Sequence, residues 1–127
     1  MEDLFYYTQV VIRLEDIATL VQTNGYDCYF VDSLKPPRTL VVETGTMNYY
    51  CRWWDVDRTE FYSADDQKFL DEFKPAAEFL ITYSPATLPY LKPIFKIILE
   101  RYGGLIENPN KRESPRYDLE TLDDFTY

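Results

Sequence analysis

The stretch YYCRWWDVD at residues 49–57 decides how this chain can pack. Its aromatic character favours a strand, and the side chains of a strand alternate between two faces. Trp53 and Trp54 therefore point to opposite faces, and only one of them can fill the same core. The face of Trp53 carries four further residues, two of them aspartates: Tyr49, Cys51, Asp55 and Asp57. Because aspartates favour water, we expect Trp54 in the core and Trp53 at a protein–protein surface.

Residues 26–56 are predicted to form a meander of three consecutive antiparallel strands. Strands are expected at 26–32 and 39–44, which are rich in β-branched and aromatic residues. A pair of prolines breaks the chain between them, because proline lacks the amide donor that a sheet interior needs. The turn at 45–48 contains glycine and asparagine and leads into the quoted stretch.

The segments on either side of the meander alternate between strand and helix patterns. The predicted elements are a strand at 5–14, a helix at 15–25, a helix at 63–75, a strand at 76–84, a helix at 86–102 and a short strand from 105. The strand–helix–strand order at 5–32 is echoed at 76–107. We therefore expect an α+β fold: an antiparallel or mixed sheet of five to six strands with about three helices mainly on one face, loosely ferredoxin-like.

The sequence predicts a single α+β domain over residues 1–107, followed by a polar, acidic C-terminal extension at 108–127. Leu119, Leu122 and Phe125 are spaced for one face of a short helix. Either the extension packs back on the domain or frays, as chain ends commonly do, or it is an acidic-hydrophobic recognition segment.

The charge of the chain favours some partners over others. With 22 acidic and 13 basic residues, the formal net charge is −9. This disfavours nucleic acids and anionic membranes, which attract lysine and arginine. The acidic field instead attracts a basic protein, unless its role is limited to keeping a surface rich in tyrosine in solution.

Catalytic motifs are missing from the sequence. There is no histidine, no glycine-rich phosphate loop and no cysteine pair with metal-ligand spacing. We therefore expect no cofactor, no bound metal and no enzymatic activity. The alternative is a carboxylate-based enzyme or metal binder around Asp55, Asp57 and Glu60, which are close in the sequence.

The N-terminal residues and the cysteines predict a cytoplasmic protein. The first ten residues are acidic and lack the apolar core of a signal peptide. Cys28 and Cys51 lie in predicted strands with apolar neighbours, as reduced core cysteines do.

Aromatic residues on both faces of the predicted meander point to protein binding. Tyrosine and tryptophan are rigid contact residues that recur in binding hot spots. The expected function is a non-enzymatic, acidic protein-binding domain, such as an inhibitor or immunity-type protein for a basic partner; a structural homodimer is the other non-enzymatic possibility. The residues expected to bind the partner are Tyr29, Tyr49, Trp53, Asp55 and Asp57.

Overall fold

The computed structural model describes residues 2–31, 38–45, 49–56 and 64–126, with side chains from residue 67 onwards in the last segment. Seven strands in these residues form one antiparallel sheet: β1 (Glu2–Thr8), β2 (Cys28–Val31), β3 (Thr39–Glu43), β4 (Tyr50–Asp55), β5 (Ala77–Tyr83), β6 (Leu105–Glu107) and β7 (Arg116–Tyr117). Their order across the sheet is β2-β3-β4-β5-β1-β6-β7. The predicted meander is confirmed, since β2, β3 and β4 are consecutive antiparallel neighbours.

Three α-helices connect these strands: α1 (Leu14–Thr23), α2 (Ala64–Phe73) and α3 (Leu88–Tyr102). At the start of α1 the Asp16 carboxylate accepts a hydrogen bond of 2.8 Å from the Arg13 amide, and the Asp16 amide donates to the Arg13 carbonyl oxygen at 3.0 Å. The predicted α+β class is confirmed. The sheet has one strand more than expected because the C-terminal residues contribute β7.

The helix face of the sheet, covered by α1 and α3, contains the main core. Side chains from every strand and from both helices belong to this core. On β1 the alternation places Leu4 and Tyr6 on this face, and both are fully buried. In α3, Leu91, Ile94 and Phe95 are also fully buried, so the helical stripe read from the sequence is the one that packs.

The opposite face, called here the outer face, is partly covered by α2. The Phe69 ring of α2 meets the Tyr7 ring edge-on, with centroids 5.2 Å apart. The Arg116 guanidinium lies 3.9 Å from the centroid of the Phe69 ring, and Arg116 Nε is 2.6 Å from Glu107 Oε2. Because all these contacts are made at β1, β6 and β7, α2 is tied to that side of the sheet.

The first strand is shorter than the sequence predicts. β1 ends at Thr8, and Leu14 opens α1, so the predicted strand over 5–14 is wrong beyond Thr8. The Thr8 hydroxyl donates to the Tyr102 carbonyl oxygen at 2.8 Å and accepts from the Val10 amide at 3.2 Å, which turns the chain out of the sheet. Val10 and Val11 extend the β-branched pattern past this turn but are exposed.

Two crossover connections place α1 and α3 on one face. Because β1 and β2 are separated by three strands in an antiparallel sheet, they run in the same direction and α1 crosses between them. In the same way α3 joins β5 to β6 across β1. The second crossover requires a close turn: a Cβ atom at Gly104 would collide with the Tyr7 carbonyl oxygen. This split β-α-β arrangement is the feature shared with the expected ferredoxin-like topology.

The C-terminal extension packs on the domain. β7 pairs with β6, and Leu122 and Phe125 belong to the main core. The Phe125 ring lies 4.9 Å from the Tyr117 ring. The expected helix is a short 3₁₀ turn (Leu122–Asp124). Because Leu122 and Phe125 are buried, the extension packs back on the domain, as the first alternative expected, although Leu119 is 42% exposed.

Candidate protein-binding surface

The two neighbouring tryptophans do point to opposite faces, but in the reverse of the predicted sense. Trp53 is 0% exposed and lies in the core on the helix face. Its ring meets Phe79 and Phe95 at centroid distances of 6.0 and 6.4 Å. Trp54 lies on the outer face and is half-buried. The expected positions are therefore reversed: Trp53 is buried, and Trp54 is the tryptophan that reaches solvent.

The error has a physical cause at the end of β4. Asp55 shares the face of Trp53, yet it is the last residue of the strand and is exposed. An aspartate at a strand end can reach water although its face is buried two residues earlier. Arg52 is the better guide, because it sits in the middle of β4, is exposed, and shares the outer face with Trp54.

Tyr29 and Tyr49 are not neighbours in the fold. Tyr29 is on the outer face of β2 and 51% exposed. Tyr49 precedes β4 on the helix face, where its ring lies 5.0 Å from the ring of Tyr90 on α3. Tyr29 therefore remains a candidate contact residue, whereas Tyr49 packs against a helix.

Asp55 lies at the far end of β4 from Tyr49, roughly 20 Å away by strand rise. It lines a cavity of about 380 Å³ together with Ile12, Val56 and Glu78, among others. Partial burial raises the pKa of the Asp55 carboxyl, and the negative charge of Glu15 adds to the effect. Asp57 and Glu60, the other members of the predicted carboxylate group, lie outside the described residues.

The structure assembles a different candidate surface on the outer face, called here the outer patch. It consists of Tyr29, Val31, Tyr50, Arg52 and Trp54. The strand register brings them together: Tyr29 lies opposite Val41, which lies opposite Arg52. Tyr29 and Arg52 are thus two strand spacings apart, about 10 Å, and Trp54 follows Arg52 by about 7 Å along β4.

The outer patch contains exposed apolar side chains and an arginine that lies over a tyrosine ring. Tyr29 and Val31 are 51% and 47% exposed, although neighbouring residues on the other face of β2 are half-buried. The Arg52 guanidinium lies 5.5 Å from the centroid of the Tyr50 ring. Such a combination of aromatic rings, a branched apolar side chain and an arginine is typical of protein contact surfaces.

Carboxylates border the patch at the β2 end. The Glu43 amide donates to the Asp27 carbonyl oxygen at 2.8 Å, which continues the β2–β3 ladder by one pair. Asp27 and Glu43 are both exposed, and alternation puts their side chains on the outer face. Asp27 is two residues before Tyr29, so two negative charges flank the most exposed ring of the patch.

Four residues of the outer patch were not among the predicted contact residues: Val31, Tyr50, Arg52 and Trp54. The position of Arg52 within a strand could have marked their face as the one that reaches solvent. The proximity of Tyr29 to Arg52 depends on strand pairing, which the sequence of either strand alone does not specify.

Both cysteines have free thiols. Cys28 and Cys51 lie opposite the same residue, Val42, from its two sides. They are therefore about 10 Å apart, beyond the separation of about 7 Å that a disulfide allows. Burial raises the pKa of Cys51 to about 12, so its thiol stays protonated and inert.

The described residues contain no group of three or more metal-ligating side chains of the histidine, cysteine, aspartate and glutamate types. None of the helices in the described part of the chain is long and apolar enough to cross a membrane. No protein-family model matches the chain, and no curated protein or solved structure matches it either.

Proposed function

We propose that this chain is a non-enzymatic protein-binding domain that engages a basic protein through the outer patch. The observation that carries the proposal is the exposure of Tyr29 and Val31 beside the half-buried Trp54 on one sheet face. Rigid rings of this kind lose little conformational entropy when a partner covers them.

The charge of the chain supports a basic partner. Asp27 and Glu43 border the patch, and the chain as a whole carries a net charge of −9. Opposite charge accelerates encounter and excludes acidic competitors. If the basic surface that it covers is a functional cleft of the partner, the domain acts as an inhibitor or immunity-type protein.

The experiment starts with a partner captured from the native host and then purified. We expect Tyr29→Ala and Trp54→Ala each to raise the dissociation constant by about 30-fold, which corresponds to a hot-spot loss of about 2 kcal/mol. Leu119→Ala is the matched control, since Leu119 is 42% exposed on the C-terminal extension. Its affinity should equal that of the parent chain.

Three results would contradict the proposal. They are unchanged affinity in both patch variants, an equal loss in Leu119→Ala, and a purified partner that is acidic. Self-association on a sizing column that is abolished by Tyr29→Ala would instead support the homodimer.

A carboxylate site is the second candidate function, favoured by the cavity that Asp55 and Glu78 line and by the raised pKa of Asp55. It predicts that Ca²⁺, Mg²⁺ or Mn²⁺ binds with a dissociation constant below about 100 μM, within the range of protein Ca²⁺ sites. Calorimetric titration of the parent chain and of Asp55→Asn decides: binding that Asp55→Asn abolishes supports this site, and no binding removes the metal version of it.

A further inference from the structure

The strand β2 is an edge strand of the sheet: it pairs with β3 on one side, and among the described residues no strand pairs with its other side. Edge strands of this kind expose amide and carbonyl groups that can pair with another chain. Natural edges are commonly protected by shortness, lysine, proline or a bulge. β2 is short, with four residues. The residues of β2, Cys28–Val31, include neither lysine nor proline.

The hydrogen-bond pattern identifies which backbone groups face the edge. The Glu43 amide donates to the Asp27 carbonyl oxygen, so these two residues form a hydrogen-bonded pair. Bonded and non-bonded pairs alternate in an antiparallel ladder. Tyr29 and Val31 therefore bond to β3, and the amides and carbonyls of Cys28 and Phe30 point to the open edge.

The edge is held in place from the helix face. The Arg38 guanidinium lies 4.0 Å from the centroid of the Phe30 ring and 2.7 Å from a Glu15 carboxylate oxygen. Phe30 and Cys28 also pack against the main core. An incoming strand would thus meet a preformed template, which lowers the entropic cost of pairing.

We infer that the open edge of β2 accepts an extended basic segment of the partner as an added strand. The edge is continuous with the outer patch, since Tyr29 and Val31 belong to both. The occupant follows from charge: Asp27 and Glu43 flank the same end of β2 and match lysine or arginine on an added strand. A second copy of the chain is disfavoured because each copy carries a net charge of −9.

This inference rests on the proposed function, and amide hydrogen exchange separates the two. The probe is a capped eight-residue peptide of alternating lysine and valine at about 1 mM, a concentration suited to weak strand pairing. We expect the exchange of the Cys28 and Phe30 amides to slow by at least about ten-fold when the peptide is added. The Tyr29 and Val31 amides should not change, because they already bond to β3.

Two control peptides and one pair of variants sharpen the test. An alternating glutamate–valine peptide and a backbone N-methylated lysine–valine peptide should give no protection. Asp27→Asn combined with Glu43→Gln should lower the affinity for the lysine–valine peptide by about ten-fold. The control, Asp123→Asn combined with Asp124→Asn, removes two other exposed carboxylates and should leave this affinity unchanged.

The outcomes that overturn the inference are distinct from failure of the proposed function. If the peptide shifts the Trp54 indole resonance but protects neither edge amide, the patch binds and the edge does not. If the peptide changes neither amide exchange nor the Trp54 resonance, strand addition at the edge is also rejected. Binding at the outer patch is tested separately, by the affinity of the purified partner for the patch variants. Edge protection without peptide that rises with protein concentration would assign the edge to a second copy.

Discussion

The exchange of roles between Trp53 and Trp54 shows how much a single step along a strand changes. Trp53 meets three other aromatic rings in the core, from Tyr6, Phe79 and Phe95, and its indole Nε1 lies 3.3 Å from the Cys51 sulfur. The neighbouring indole of Trp54 faces outward. A substitution that costs stability at one position should therefore cost binding at the next.

Stability measurements on the two tryptophans should separate these roles. Trp53→Ala removes a fully buried indole and should lower the free energy of unfolding by about 3–5 kcal/mol. Trp54→Ala, at a half-buried position, should cost about 1 kcal/mol. Urea denaturation provides both values. The same burial predicts that iodide quenches the fluorescence of Trp53→Phe more strongly than that of Trp54→Phe, and the opposite order would reject the face assignment.

The raised pKa of Asp55 predicts a pH-dependent effect on stability. The pKa of the Asp55 carboxyl is higher in the folded chain than in the unfolded chain, where the pKa is near 3.8. The folded state therefore binds more protons between the two pKa values, and stability falls as the pH rises through that window. Asp55→Asn removes this penalty.

Melting curves at two pH values test the Asp55 effect. Asp55→Asn should unfold at a higher temperature than the parent chain at pH 7, and the difference should disappear at about pH 3, below both pKa values. Asp123→Asn, at an exposed position, serves as the control. A stabilisation that is the same at both pH values would indicate a cause other than ionisation.

Helices and strands that follow from the residue pattern within one segment were predictable from the sequence. Features that depend on contacts between segments far apart in the sequence were not. The meander follows from β-rich runs separated by proline and glycine, and α3 from the spacing of its apolar residues. The end of β1 was missed because Val10 and Ile12 continue the strand pattern, whereas the turn depends on Tyr102 far along the chain. The outer patch was only partly predictable for the same reason, since pairing between strands creates it.

The packing of the C-terminal extension was also not predictable from its own residues, because most of them are polar. Phe125→Ala should lower the free energy of unfolding by about 3–5 kcal/mol, since Phe125 is fully buried in the main core. Leu119→Ala should change it by less than about 0.5 kcal/mol, as exposed substitutions do. Chemical denaturation measures both. Equal, small effects would mean that the extension does not contribute to the fold.

At the scale of the whole molecule, charge determines how the proposed partner is approached. The net charge of −9 acts over a distance that salt shortens, with a Debye length of about 10 Å at 0.1 M. The patch itself is largely apolar, so contacts made after docking depend less on salt. Association and dissociation should therefore respond differently to ionic strength.

Stopped-flow measurements with the purified partner test this difference. Raising the salt from about 0.05 to 0.5 M should lower the association rate constant by at least about ten-fold, as screening removes steering. The dissociation rate constant should change by no more than about three-fold. An association rate independent of salt would show that the acidic surface only maintains solubility.

The position of β1 has a consequence for synthesis on the ribosome. β1 lies between β5 and β6, so Tyr6 pairs with Phe79 on one side and Ile106 on the other, and its hydroxyl donates to the Gly103 carbonyl oxygen. At roughly 5–20 residues per second, the chain needs about 5–20 s to translate the hundred residues between these partners. Until β5 has been made, which takes about three quarters of that interval, the aromatic first strand has neither neighbour, and chaperones that bind nascent apolar segments can act before the sheet forms.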